Sequence, residues 1–358
     1  MRPLTRICWR SGAAVPFLVA AILVLTPALA DKPQIVLDGP VSTSVTAIPI
    51  DFDRDNPSRK NFGKLTFRSG LNLFAKSPHF GGYSGLIIDP TGGMLLAVSD
   101  AGTWMRATLD YDGRILKGLS DVVLGPLLGS DGKPVRGLDR DSEGITLIDG
   151  DTRRGTAYVS FEGSHRIERY PFTAERFGPP TGALPLPAAA KALKVNRGLE
   201  AMALIRGGKL KGTLIAFSEG RVDKNGNILG WLIGGPAPGG IYLKQIGGFD
   251  ITDAAPLPDG GVALLERRFR FSEGVKMRIR RIAASEIKRG AVIQGEVLLE
   301  ADDRLNIDNM EAIAAHRTAA GETVLTLMSD DNFNPFQRTL IMQFVLPDGA
   351  AEAAGPVR

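Results

Sequence analysis

The sequence predicts an all-β chain folded as a β-propeller of about five blades, with six as the alternative, behind an N-terminal signal peptide. Three observations point there. From Gly63 onward, short alternating or continuous apolar runs follow one another between Gly, Asp, Pro and Asn, the pattern of strands and turns. A small acidic or polar pair recurs as Ser84-Gly85, Glu143-Gly144, Glu200-Ala201, Asp253-Ala254 and Glu311-Ala312, at intervals of 59, 57, 53 and 58 residues. Each pair leads into an apolar strand and then, after a turn, into a second strand that ends on or next to an acid. A period in the fifties with three or four strands per unit fits a propeller blade, whereas the strands of a sandwich need not repeat as a unit.

Taken in order, the chain starts with Arg2, Arg6 and Arg10, an apolar run over 13–25, and Ala28-Leu29-Ala30. This reads as a secretory signal over residues 1–30. Pro16, Pro27 and the small-residue ending argue against an uncleaved anchor. Removing its three arginines takes the net charge from +4 to about +1, so the pI near 9.2 is no argument for nucleic acid. The single cysteine, Cys8, lies inside this segment, which excludes disulfides and thiol chemistry from the mature chain. The expectation is a periplasmic or secreted protein with no stable membrane insertion after cleavage and no nucleic-acid partner, working as a monomer.

Residues 31–62 are polar and read as an N-terminal arm, and residues 63–347 as the propeller domain. The run 64–74 stands where a fourth strand would, placed to pair with 339–346 and close the ring. First strands are expected at 86–88, 145–148, 202–205, 255–257 and 313–315. Second strands are the runs LLAVSD, AYVSFE, LIAFSE, VALLE and LTLMSD. Third strands follow at 104–109, 166–172, 240–246, 277–282 and 339–346, and fourth strands at 122–124 and 297–299. Residues 348–358 read as a disordered tail.

A ring of equivalent blades stacks equivalent side chains. The opening acids Glu143, Glu200, Asp253 and Glu311 and the closing acids Asp100, Glu162, Glu219, Glu266 and Asp330 would then form two rings near the channel mouth. Crowded carboxylates are costly without cations or donors, and calcium, with six to eight oxygen ligands in irregular geometry, is the fitting cation. The alternative is that these acids hydrogen-bond to backbone amides of neighbouring blades. Asp139, Asp141 and Glu143 before Gly144 resemble the start of a calcium loop, and Asp330, Asn332 and Asn334 repeat the alternation. Neither is an EF-hand, because the twelfth positions are Gly150 and Ile341. The candidate metal ligands are Asp139, Asp141, Glu143, Glu200, Asp330 and Asp331.

Basic residues accompany the acids. Arg166, Arg267 and Arg338 are candidate substrate-binding residues, since a guanidinium fork suits phosphate or carboxylate oxygens. Glu143 and Glu311, as carboxylates able to activate water, and His165, as acid or base, are the candidate catalytic groups. His79, His165 and His316 show no zinc spacing, and the sequence has no G-x-S-x-G elbow, P-loop or dinucleotide fingerprint.

The motifs SGLIID…AVSD, DSEGI…YVSFEGSHRI, GLEAMA…AFSEG, FDITDAAPLPDGGVALLERRF and NMEAIA…SDDNFNPFQRT together resemble the bacterial phytase-like domain family, also called "esterase-like activity of phytase". The resemblance covers roughly residues 63–346. It implies a secreted or periplasmic β-propeller that hydrolyses phosphoesters or related esters of small molecules. The residues also allow a second reading, a non-catalytic propeller that binds a small ligand or a protein partner.

Overall fold

The computed structural model describes residues 36–193 and 198–347. The signal expected at 1–30 and the tail at 348–358 lie outside the described residues. Within them, the repeat resolves into five mainly antiparallel sheets, each built on a core of strands that follow one another in sequence. Blade 1 holds Tyr83–Ile88, Met94–Ser99, Thr103–Asp112 and Ile115–Pro126, with Val41–Ser42 added at its outer edge. Blade 2 has Ser142–Gly150, Gly155–Phe161 and Arg166–Phe172. Blade 3 has Leu199–Leu204, Leu214–Val222, Asn227–Ile233 and Gly239–Lys244, followed by Val292–Ile293 in parallel. Blade 4 has Asp250–Pro256, Val262–Arg270, Gly274–Ile282 and Glu296–Asp302. Blade 5 has Met310–Arg317, Thr323–Ser329 and Thr339–Leu346, completed by Leu65–Ala75 and Val45–Ile50.

The first strand of each blade touches the first strands of the two blades beside it, blade 5 meeting blade 1, so the ring closes on five. These inner strands are largely apolar because both their faces are covered: Tyr83–Ile88 and Leu199–Leu204 are buried along their whole length. The molecule is a five-bladed β-propeller.

The strand expected third in blade 3, near 240–246, is the fourth there. Asn227–Ile233 takes the third place, reached through a tight turn that the apolar pattern alone does not announce. The Asp223 carboxylate accepts the backbone N–H groups of Asn225 and Asn227 at 2.8 and 2.9 Å, as turn-forming Asp does.

Leu65–Ala75 closes the ring as the sequence suggests, pairing antiparallel with Thr339–Leu346 from Thr339↔Leu73 to Val345↔Thr66. The segment 36–62 is woven into the propeller. Val45–Ile50 pairs with Leu65–Ala75, and Val41–Ser42 pairs with blade 1. Phe52 and Phe62, both buried, stack edge-to-face at 4.7 Å, and Phe52 meets Phe344 at 5.0 Å. Each such ring contributes about 1.5–3 kcal/mol by burial, which is what pins this leading segment to blade 5. Among the described residues no helix is long and apolar enough to cross a membrane.

Candidate active site

Each inner strand enters the ring with one residue more than its partner. The pairings Tyr83↔Ser99 then Gly85↔Val98, Ser142↔Phe161 then Gly144↔Ser160, Leu199↔Ser218 then Ala201↔Phe217, Ile251↔Glu266 then Asp253↔Leu265, and Met310↔Ser329 then Ala312↔Met328 skip one residue apiece. The skipped residues are Ser84, Glu143, Glu200, Thr252 and Glu311. A β-bulge leaves such a residue unpaired and re-aims its side chain. One step beyond the paired residue on the second strand stand Asp100, Glu162, Glu219, Arg267 and Asp330. Four of these are anchored by their own N–H groups, which donate to the carbonyls of Gly82, Asp141, Gly198 and Asn309 at 2.9–3.1 Å. In blade 4, Arg267 pairs with Asp250.

Blade 4 therefore differs by one residue from the sequence reading. Thr252 and Arg267 hold the positions assigned to Asp253 and Glu266. Asp253, 1% exposed, sits one step deeper, and its carboxylate accepts the N–H of Ala254 at 2.7 Å and of Ile313, in blade 5, at 2.8 Å. Glu266 points away from the ring to Arg280 and, at 3.7 Å, to Arg278. The segment offers Thr-Asp and Glu-Arg side by side, and periodicity cannot choose between neighbours. The consequence is chemical: where the other blades place an acid, blade 4 places a cation.

The carboxylates of blades 2 and 3 crowd together. Asp141, Glu143 and Glu162 bring ligand oxygens within 4.8 Å of one another, and so do Glu162, Glu200 and Glu219, with Glu162 common to both groups. Burial pushes Glu143 well above the ordinary carboxylate range, and Asp141, Asp100, Glu162 and Glu311 add to it. Glu200 is raised in the same way by burial and then by Glu143 and Glu162. Glu219 is pushed up to about 7, first by burial and then by Glu162 and Asp250. Asp330 is raised by burial and by Asp100, and Asp141 by burial and by Glu162.

Across the ring Arg267 pairs with Glu311 at 3.4 Å and donates to the Asn309 side-chain oxygen. Burial opposes its charge, but Glu311, Glu219, Glu200 and Asp330 more than offset that, leaving its pKa raised. Glu311 is raised by burial, with Arg267 and Asn309 holding it back.

This donor set suits a hard cation. Every ligand atom in the two groups is a carboxylate oxygen, with no His or Cys among them. Two oxygens each about 2.4 Å from one calcium lie no more than about 5 Å apart, and the two groups meet that limit. A divalent charge would also relieve the repulsion that raises the pKa values.

The remaining predicted residues brace the site from outside. His165 adopts a left-handed backbone, φ 38°, and donates through Nε2 to the Leu193 carbonyl at 2.9 Å. Arg166 holds Asp139 at 3.1 Å and Glu168 at 3.2 Å and lies 3.8 Å over the Phe161 ring. Asp139 is largely exposed beside it. Asp331 accepts from the Gly82 N–H at 3.1 Å, the Phe333 N–H at 3.0 Å and the Thr339 hydroxyl at 2.9 Å, tying blade 5 to blade 1. Arg338 grips Asp308 at 3.1 Å and the Ile307 carbonyl at 2.8 Å. Thus Asp141, Glu143, Glu200, Glu311, Asp330 and Arg267 gather at the ring mouth, while Asp139, Asp331, His165, Arg166 and Arg338 serve its walls. Glu162 and Glu219 are legible in the sequence as closing acids but not as ligands, because only the blade geometry brings them together across two blades.

The other end of the inner strands opens into an apolar cavity of about 400 Å³ lined by residues such as Leu86, Ile145, Leu147, Ala255 and Ile313. The ring is thus polarised along its axis, with the carboxylates at one end.

Among solved structures, the α-L-arabinofuranosidase PaAbf62A from Podospora anserina in complex with cellotriose is similar at TM-score 0.44 and 13% identity, over 75% of this chain and 95% of that one. The β-propeller domain of Myceliophteria thermophila Cps50 (Swd1) is similar at TM-score 0.37 and 9% identity, over 87% of this chain and 100% of that one. No curated protein matches the sequence. Residues 78–333 match the Phytase-like family, described as esterase-like activity of phytase, and with that span covering most of the sequence the chain belongs to the phytase-like family.

Proposed function

We propose that the protein is a phytase-like hydrolase of small-molecule phosphoesters or related esters, assisted by calcium and working in the periplasm or outside the cell. The observation that carries this reading is the juxtaposition, in one ring, of two carboxylate groups sharing Glu162 with the Arg267–Glu311 pair. When bound, calcium neutralises the carboxylates and polarises an ester oxygen. Asp141, Glu143, Glu162, Glu200 and Glu219 would hold it. Arg267 presents its fork to the oxyanion of the ester. Glu311, kept in place by Arg267, accepts a proton from the attacking water. Water adds to phosphorus or to the acyl carbon, the bond to the ester oxygen breaks, and the alcohol leaves carrying a proton.

The test is release of phosphate or carboxylate from a panel of monoesters, with calcium and then with chelator. Chelator-sensitive turnover that falls at least 100-fold in Glu311→Gln, with calcium binding retained, is the expected result. A panel on which the calcium-loaded protein shows no turnover overturns it. The second reading, a non-catalytic binding propeller, draws support from the fixing of Arg166, Arg338 and His165 in braces. It expects ligand capture in the absence of any turnover.

A further inference from the structure

The strand that delivers Arg267 to the ring continues outward with an unusual face. Val262–Arg270 pairs with Gly274–Ile282 without a shift, from Val262↔Ile282 to Arg270↔Gly274. Side chains therefore alternate strictly, and residues two apart stand about 7 Å from each other on one face. Glu266, Arg268 and Arg270 share one face. Glu266 meets Arg280, Arg268 binds the Gly247 carbonyl and lies 5.0 Å from the Phe249 ring, and Arg270 meets Glu273 at 2.9 Å. Arg267 and Phe269 share the opposite face, and Phe271 follows Arg270 in the turn to Gly274.

Phe269 is 64% exposed and Phe271 is 98% exposed. The same places in three other blades, two and four residues past the ring position, hold Ser164 and Arg166, Arg221 and Asp223, and Asn332 and Asn334. Among the described residues the exposed phenylalanines are Phe74, Phe269, Phe271 and Phe336. Phe336 lies between Ser329 and Thr339, and Phe74 follows Leu73, the partner of Thr339. All four thus stand on blades 4 and 5, at the end of the propeller where the carboxylates gather. Exposed apolar side chains gathered beside a charged site mark a contact surface, and Phe269 stands on the same strand face as the guanidinium assigned to the ester, two residues away.

We propose that Phe269 and Phe271 form the subsite for the organic part of the substrate. The oxyanion rests on Arg267, and an uncharged aromatic or apolar substituent extends outward along the two rings. The preferred substrates are then aryl or long-chain monoesters, and small polar esters are poor ones, because rings stack on flat apolar groups and offer polar ones no partner. This inference rests on the ester reading of the ring given above.

The experiment measures dissociation constants of 1-naphthylphosphonate and methylphosphonate by calorimetry, with calcium present, for the full chain and for Phe269→Ser/Phe271→Ser. Turnover of 2-naphthyl phosphate is followed in parallel. Both phenylalanines are exposed, so the variant folds, and thermal melting checks that it does. The expected result is a preference for the naphthyl probe of about tenfold or more that collapses toward one in the double variant. Failure of both probes to bind, or a preference unchanged by the substitutions, overturns the subsite. Collapse of the preference without any turnover keeps the subsite and removes the hydrolase. If the substitutions instead abolish dimerisation or binding to phosphatidylcholine vesicles while the preference stays intact, the rings serve a second copy or a lipid surface, and the subsite is wrong.

Discussion

In the presence of chelator, the propeller should lose stability as pH rises from 5 to 8, and calcium should reverse the loss. Glu219 fixes the sign. Its pKa is 4.5 in an ordinary setting and about 7 in the folded ring, raised first by burial and then by Glu162 and Asp250. The folded chain therefore holds the proton more tightly than the unfolded chain. The stabilisation is complete below pH 4.5 and is lost as pH climbs through 7. At about 1.4 kcal/mol for each pH unit of displacement, the ceiling is about 3 kcal/mol. Glu219 is partly open to solvent, and screening reduces this to about 1–2 kcal/mol. A domain of this size shifts its melting temperature by about 1.5 °C per kcal/mol, so Glu219 alone lowers Tm by about 1.5–3 °C. Glu143, Glu200 and Asp330, also raised, push the same way. Calcium at a hundred times its dissociation constant restores about 2.7 kcal/mol. The assay is thermal melting across pH 5–8 with and without calcium, repeated on Glu219→Gln, whose chelated curve should be flatter. A chelated Tm that stays level or rises with pH would refute the reasoning, as would a Tm that ignores calcium at pH 8.

Other outcomes follow from single side chains. Glu162→Gln, which removes the ligand common to both carboxylate groups, should weaken calcium binding in calorimetry at least tenfold, whereas Asp139→Asn, at an exposed carboxylate held by Arg166, should leave the titration unchanged. Asp253→Ala strands the Ala254 and Ile313 N–H groups in the blade 4–5 seam and should cost about 2–4 kcal/mol in urea unfolding, with the response to calcium intact. Glu266→Gln leaves Arg280 and Arg278, 0% and 4% exposed at their side chains, without their shared buried carboxylate. It should destabilise by about 3–5 kcal/mol, and added salt should barely change that figure, since both groups are shielded from it.

The architecture was legible because each blade repeats the same strands, and the closing strand was legible because residues 64–74 filled a gap in that repeat. Blade 4 shows the limit. Periodicity locates an acid to within one residue, but a β-bulge fixes which face that residue takes. Thr252 and Arg267 therefore occupy the ring in place of Asp253 and Glu266. The fates of Arg166 and Arg338 were equally out of reach, because their partners Asp139, Ile307 and Asp308 become neighbours only when loops fold back on the strands. Acidic residues in a repeat announce that a charged ring exists. They do not say which arginine faces it.

The pairing of Leu73 with Thr339 also sets a schedule. The two residues lie at opposite ends of the described chain, and contacts of such long range are slow to form. Blades 1 to 4 hydrogen-bond mainly between strands close in sequence. Blade 5 must wait for the last described strand before it can take up the leading one. Glu311, Asn309 and Asp330 belong to that blade, so the ring mouth is assembled in the final step, and Arg267 gains its partner only then. A chain halted short of Leu346 has the carboxylates of blades 2 and 3 but no closed ring. Closure of the ring by its first and last described strands, rather than formation of any individual blade, is what brings the carboxylates and Arg267 into one site.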